Sequence, residues 1–184
     1  MDNVTYVMAL IEISKACAST GIIWATNFHG MKPLIEFGSP EQKARLLPRI
    51  AEGGLGSLAI TEPGAGSDAT GMQTTFREEG DHIVVEGGKT FISNGDVADL
   101  YLVFGKWAGI DDPRKAISAL ILEKGTPGLS VVRLEDKMGT RASSTATLAF
   151  DRCLVPRGNL LVAPGEGLRI LFASLNRSRP SIAA

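Results

Sequence analysis

The sequence predicts an α+β protein: N-terminal α-helices, an antiparallel β-barrel or sandwich in the middle, and a helix opening a further helical region. Three observations carry this reading. Helix-period apolar positions and a strong capping signal fill the first third. Short runs rich in Val, Ile, Leu, Phe and Thr, punctuated by Gly, Pro, Asn and Asp, fill the middle. Helical spacing then returns after Gly165. No helix-length pattern separates the middle runs, which argues against a parallel α/β sheet. The expected division is 1–54 helical, 55–160 β-domain and 161–184 the first helix of a truncated C-terminal helical domain.

In order, residues 4–18 read as a helix. Val4, Met8, Ile11 and Lys15 share one face, Val7, Leu10 and Ser14 adjoin it, and this breadth predicts a well-buried helix. Gly21 is expected to interrupt or end it, ahead of a loop around 27–30 and a short segment over 33–37. Ser39 before Pro40, with Gln42 three residues on, spells an N-cap, an N1 proline and a capping box. That helix should carry Ala44, Leu47 and Ile50 inward and end at Gly53–Gly54. Strands or apolar runs are predicted over 56–61, 72–77, 82–86, 89–92, 100–104, 117–122, 129–134 and 145–150, with Asn94–Gly95 as a hairpin turn. Leu168, Leu171, Phe172 and Leu175 then follow the i, i+3, i+4, i+7 pattern of a buried helix face. The pattern runs into Ile182-Ala183-Ala184 without a cap, and a further helical domain is expected beyond it.

Composition narrows function by exclusion. The 184 residues, 44% hydrophobic and 21% charged, suffice to bury a core. A formal net charge of −1 supplies no whole-molecule field for nucleic acid or anionic membrane. No apolar run approaches bilayer length, and Asp2 without a basic stretch is unlike a signal peptide, so a cytoplasmic protein is expected. Two cysteines, Cys17 and Cys153, form no disulfide framework and read as buried thiols. His29 and His82 lack metal-ligand spacing. Glycine is in excess, 21 of 184 residues, or roughly 11% against a usual ~7%.

Gly64-Ala65-Gly66-Ser67-Asp68-Ala69 formally matches G-x-G-x-x-A after a strand. Thr70, Gly71, Thr74 and Thr75 follow where a helix would have to begin, so a Rossmann unit is rejected. Two readings of the loop stay open. It is a plain turn between strands, or Gly64 and Gly66 let backbone N–H groups approach a phosphate or a flavin, with Thr61 and Ser67 adding hydroxyls. Ser67 has no nucleophile-elbow context, and Glu62 reads as a structural acceptor for backbone or hydroxyl donors. The segment Asn176-Arg177-Ser178-Arg179 could bind anions or form a solvated helix face.

The string from Leu58 to Asp68, LAITEPGAGSD, resembles the signature of the acyl-CoA dehydrogenase family. So do PLIEFGSPEQK from Pro33, Phe91-Ile92-Ser93-Asn94-Gly95, Gly125 to Gly128, Met138-Gly139-Thr140-Arg141 and Val155-Pro156, in order and across essentially the whole chain. The resemblance implies N-terminal helices, a middle β-domain and a C-terminal four-helix bundle, with FAD between the last two and a homotetramer as the usual assembly. It implies an α,β-dehydrogenation of acyl-CoA in fatty acid metabolism, with electrons passed to an electron-transfer flavoprotein. An acyl-CoA oxidase-like or nitroalkane-oxidising relative, or a non-catalytic binding or assembly fragment, are the rival readings.

By resemblance, Leu58, Ile60, Thr61, Gly66 and Ser67 line the flavin and its phosphates. Phe91 covers one flavin face, Ile92 follows it, and Ser93 lies near N5. Ser67, Asn176 and Arg179 meet the CoA portion of the substrate. The family's base is a glutamate, late in the bundle or, in some members, on its first helix. That helix position holds Ser178, so no catalytic residue is assigned in this chain. Ser144 and Asn176 also stand where relatives often carry acids. Cytoplasm, or the mitochondrial matrix in a eukaryote, is the implied location.

Overall fold

The computed structural model describes residues 2–183, with every side chain among them except that of Arg177. Ala184, the last residue of the uncapped pattern, therefore lies outside the described residues. α1 (Asn3–Ala16) is capped by Asp2, whose carboxylate accepts the Thr5 N–H at 2.9 Å. The chain breaks at Cys17, in extended conformation, and α2 (Ala18–Phe37) then runs for 20 residues.

That continuity corrects the expected break at Gly21, the loop at 27–30 and the separate segment at 33–37. Intrinsic propensity lost to packing. A Cβ on Gly21 would meet Ser14 Oγ at 2.1 Å, so this glycine lets α1 and α2 pack closely. A Cβ on Gly30 would come within 2.9 Å of the Ser57 backbone, so that glycine lets α2 lie directly on the first strand. Asn27 completes the docking by accepting the Gly56 N–H at 2.7 Å.

The burial predicted for α1 is also corrected. Only Tyr6 and Leu10 are buried along it, while Val4 is 69% and Met8 63% exposed. α3 (Pro40–Ala51) carries the predicted capping box with Pro40 at its start. Leu46 rather than Ala44 is its buried apolar residue, with Leu47 and Ile50 packed partly against the core.

The middle of the chain forms one curled seven-stranded sheet, ordered β1-β4-β2-β3-β7-β6 with β5 paired on β4. The strands are β1 (Gly56–Ala59), β2 (Thr75–Glu79), β3 (His82–Ser93), β4 (Leu100–Trp107), β5 (Ile117–Glu123), β6 (Leu129–Leu134) and β7 (Thr145–Pro156). Antiparallel pairings dominate, but β4 runs parallel to both β1 and β2, so the sheet is mixed. The runs at 82–86 and 89–92 are one strand with a register shift between Val85 and Gly87. Gly87 has φ 136°, and a Cβ there would stand 2.8 Å from Thr74 Cα. Asn94–Gly95 is not a hairpin. β3 pairs with β2 and β7, and β4 with β1 and β5, so the Asn94 turn links strands that do not pair with each other.

Two cores flank the sheet. Phe76, Ile83, Val85, Val103, Leu120 and Leu148 fill the inside of the curl. Met31, Leu34, Leu46, Leu102, Phe104 and Ile170 join the outer face to the helices. α4 (Pro113–Ala116), a short turn capped by Asp112, was not foreseen. In α5 (Gly167–Ala183), Ile170 and Leu171 are buried, but Phe172 is 54% exposed, against its predicted inward place. Cys153 is buried as expected; Cys17 sits at the exposed α1–α2 corner. No described helix is long and apolar enough to cross a membrane.

Candidate functional site

The continuation of β1 runs antiparallel to the end of β3. Ser57 Oγ donates to the Ser93 carbonyl at 2.7 Å, and the Thr90 N–H donates to the Thr61 carbonyl at 2.9 Å. Strand alternation therefore sends Ala59 into the inner core while Leu58 and Ile60 face the helical side, partly buried. Leu58, Ile60, Thr61, Phe91, Ile92 and Ser93 are brought together by these two hydrogen bonds.

Just beyond lies a tight turn. The Glu62 and Ala65 backbones exchange hydrogen bonds at 3.0 and 3.1 Å, with Pro63 and Gly64 at the tip. Asp68 then accepts from the Thr70 N–H at 3.0 Å and its hydroxyl at 2.6 Å, fixing a single 3-10 turn over Ala69–Gly71. Between these anchors sit Gly66 and Ser67, both exposed. Among the described residues nothing accepts from their backbone N–H groups. A Cβ on Gly64 or Gly66 would meet no atom within 4 Å, so packing within the chain does not require glycine there.

Phe91 is the unusual residue of the strand end. Its φ of 57° lies in the left-handed region, which a bulky side chain adopts only at a cost of roughly 1–2 kcal/mol. The result is a phenyl ring 62% exposed between buried Thr90 and buried Ile92. Ile92 itself points into the inner core, 2% exposed, so only its backbone can meet a ligand. Ser93 is half-buried beside the shelf that Phe91 makes.

Beneath the turn lies a group that the sequence reading did not single out. Lys89 is wholly buried, and its Nζ donates to Glu62 Oε1 at 2.7 Å and to the Ile60 carbonyl at 2.9 Å. Glu62 also accepts the Gln73 N–H at 2.5 Å and the Thr74 N–H at 3.0 Å, the structural acceptor role expected of it. Burial works to raise the Glu62 carboxyl, but Lys89 and these N–H groups outweigh it and hold it below its ordinary range. Burial pulls Lys89 down to about 8, against the opposing pull of Glu62. The 2.7 Å contact between them, shielded from solvent on both sides, has the geometry of an ion pair. The available signal in the sequence was one lysine among Thr90, Phe91 and Ile92, in a run otherwise fit for a core strand.

The α5 residues are not joined to this cluster by any described contact. Asn176 and Arg179 are exposed on α5, and the side chain of Arg177 lies outside the described residues. Ser178 is buried, its hydroxyl donating back to the Leu175 carbonyl at 3.3 Å. Ser144, at a position where relatives often carry an acid, donates its hydroxyl to the Asp96 carboxylate.

Residues 57–153 match the model for the acyl-CoA dehydrogenase middle domain, and residues 1–54 match that for the acyl-CoA dehydrogenase N-terminal domain. The chain belongs to the acyl-CoA dehydrogenase family. The mitochondrial short-chain specific acyl-CoA dehydrogenase of Mus musculus is 44% identical over all of this chain, which covers 45% of that protein. The solved butyryl-CoA dehydrogenase of Megasphaera elsdenii superposes with a TM-score of 0.95 at 36% identity, over 99% of this chain and 48% of that one. A Bacillus anthracis acyl-CoA dehydrogenase solved with FAD gives 0.91 at 38% identity, over 99% of this chain and 31% of that one. The chain thus spans about half the length of the mouse and Megasphaera relatives, 45% and 48%.

Proposed function

We propose that this chain forms part of an acyl-CoA dehydrogenase that oxidises an acyl-CoA thioester to the α,β-unsaturated thioester. In this reading FAD, when bound, accepts the hydride that leaves the substrate β-carbon. The α-proton goes to a glutamate outside these residues, because Ser178 is buried, engaged with Leu175 and has no basic oxygen near neutral pH. Electrons then pass to an electron-transfer flavoprotein.

The observation that carries the reading is Phe91. A phenylalanine held left-handed and exposed makes sense where a flat ring stacks on it, since its backbone strain needs a compensating contact. Around it, Leu58 and Ile60 offer apolar contact and Thr61 a hydroxyl. The free N–H groups of Gly66 and Ser67 suit phosphate oxygens, and the open space at Gly64 and Gly66 leaves room for them. In the same reading Ser93 would offer a hydroxyl to the flavin ring, and Ile92, its side chain turned into the inner core, would offer only backbone. Ser67, with Asn176 and Arg179, is assigned to the CoA portion. The division 1–54, 55–160 and 161–184, a homotetramer, and a location in bacterial cytoplasm or the mitochondrial matrix belong to the same proposal.

The test is spectroscopic. Full-length protein should purify with a flavin absorbance that bleaches on anaerobic addition of a short-chain acyl-CoA and returns with an electron-transfer flavoprotein. Protein that takes up no FAD would overturn the reading. Rapid reoxidation by oxygen alone would replace the dehydrogenase with an oxidase.

A further inference from the structure

Glu62 and Lys89 lie under the residues assigned to the flavin, yet both side chains are buried and neither is part of the exposed surface. Their bonds tie three segments together. The Lys89 ammonium grips the Ile60 carbonyl and the Glu62 carboxylate, on either side of Thr61. The Thr61 carbonyl in turn accepts from Thr90, the residue after Lys89. Glu62 reaches forward to Gln73 and Thr74 at the entry to β2. One residue past Thr90 the chain turns left-handed at Phe91, and the register with β7 slips between Lys89 and Ile92.

An apolar pair of the same volume would fill this space, and a buried ion pair taken alone rarely outperforms packed hydrocarbon. Hydrocarbon, however, makes no directed bond to a carbonyl or to two successive N–H groups. What the charged pair adds is placement. Glu62 is also the first residue of the turn that leads to Gly66 and Ser67, and Lys89 is two residues from the phenyl shelf.

We propose that Lys89 and Glu62 are positioning residues of the flavin site, setting the Gly66–Ser67 turn against the Phe91 shelf so that both engage one flavin together. This rests on the flavin reading above. The pair acts through the turn and the shelf, and touches neither substrate nor cofactor itself.

The test is a double-mutant cycle on FAD affinity in full-length protein, read by flavin fluorescence. Lys89→Met combined with Glu62→Gln gives a neutral pair that leaves no lone buried charge. Glu62→Asp is a second variant that keeps the charge and shortens the reach. The neutral pair is expected to weaken FAD binding about 10-fold or more, and Glu62→Asp to give an intermediate loss. Adding Phe91→Ala to the neutral pair should cost much less than Phe91→Ala costs alone, because turn and shelf no longer act as one unit. In the flavin-free protein, amides over 62–68 should exchange faster in the neutral pair while those of β5 stay protected. Losses that simply multiply, or a neutral pair that binds FAD like the parent, would overturn the proposal and leave the flavin reading intact. A parent that binds no FAD would overturn both.

Discussion

The strand pair 57–61 with 90–93 and the helix α5 treat their polar and apolar groups in opposite ways. In the strand pair, with Lys89 before it and the 62–68 turn after it, carbonyls, N–H groups and even a buried ammonium find partners within the chain, while the Phe91 ring and the Gly66 and Ser67 N–H groups face outward. On α5 the inward face packs on the sheet, while Phe172, Asn176, Arg179 and Ile182 face away from it. Exposed Val4 and Met8 of α1 continue that outward character near Pro180. A site element locked from below can hold a strained residue in place. A helix face with no such lock takes its role from whatever meets it.

The sharpest challenge to this contrast is Lys89→Met, which strands the Glu62 carboxylate in a dry interior. It should cost about 3–5 kcal/mol, read as a lower urea midpoint. If stability hardly changes, the strand pair is not locked by its ions.

A second challenge concerns the helical side. His29 is buried between α2 and α5, with Nε2 3.0 Å from Ser181 Oγ. Burial first, and the nearby Lys32 charge second, pull its pKa from 6.5 to about 4. The unfolded chain therefore binds a proton that the native one refuses between these values. The stabilising contribution is complete above pH 6.5 and falls as pH drops toward 4, by up to about 3 kcal/mol. Chemical denaturation across that range should show the slope, and His29→Gln should flatten it.

Gly30→Ala probes the seam between the two regions, because its methyl would press on the β1 backbone. A loss of about 2 kcal/mol is expected in thermal or urea unfolding. Phe91→Gly should move stability by less than about 1 kcal/mol, since relief of left-handed strain offsets the added chain entropy. In the same variant FAD affinity should drop clearly, which separates a ligand shelf from a packing residue. Met8→Gln on the outward face of α1 should change monomer stability by no more than about 0.5 kcal/mol.

Legibility followed the range of the interaction. The Ser39–Gln42 capping box and the limits of β6 could be read directly, because capping bonds and turn residues act over a few positions. The pairing of 57–61 with 90–93 could not, since those segments are some 30 residues apart in the chain and no local period reports it. Gly21 and Gly30 misled for a related reason. Glycine's local effect is to weaken a helix, but here its missing side chain admits Ser14 and the β1 backbone. The motif string carried the site assignment, yet it did not reveal that Ile92 points inward or that Lys89 lies beneath the turn.

The sequence by itself determined the order of helical and β regions, the capped start of α3 and the candidate loop at Gly64–Ser67. Each depends on periodicity, on local hydrogen bonds or on an ordered residue pattern. The tertiary structure alone decided which glycines are turns and which are close contacts. It also decided that β4 pairs in parallel, and that a buried lysine holds the loop against the strand. Those outcomes depend on which surfaces meet across long separations, where burial and directed bonds outweigh the preferences of any single residue.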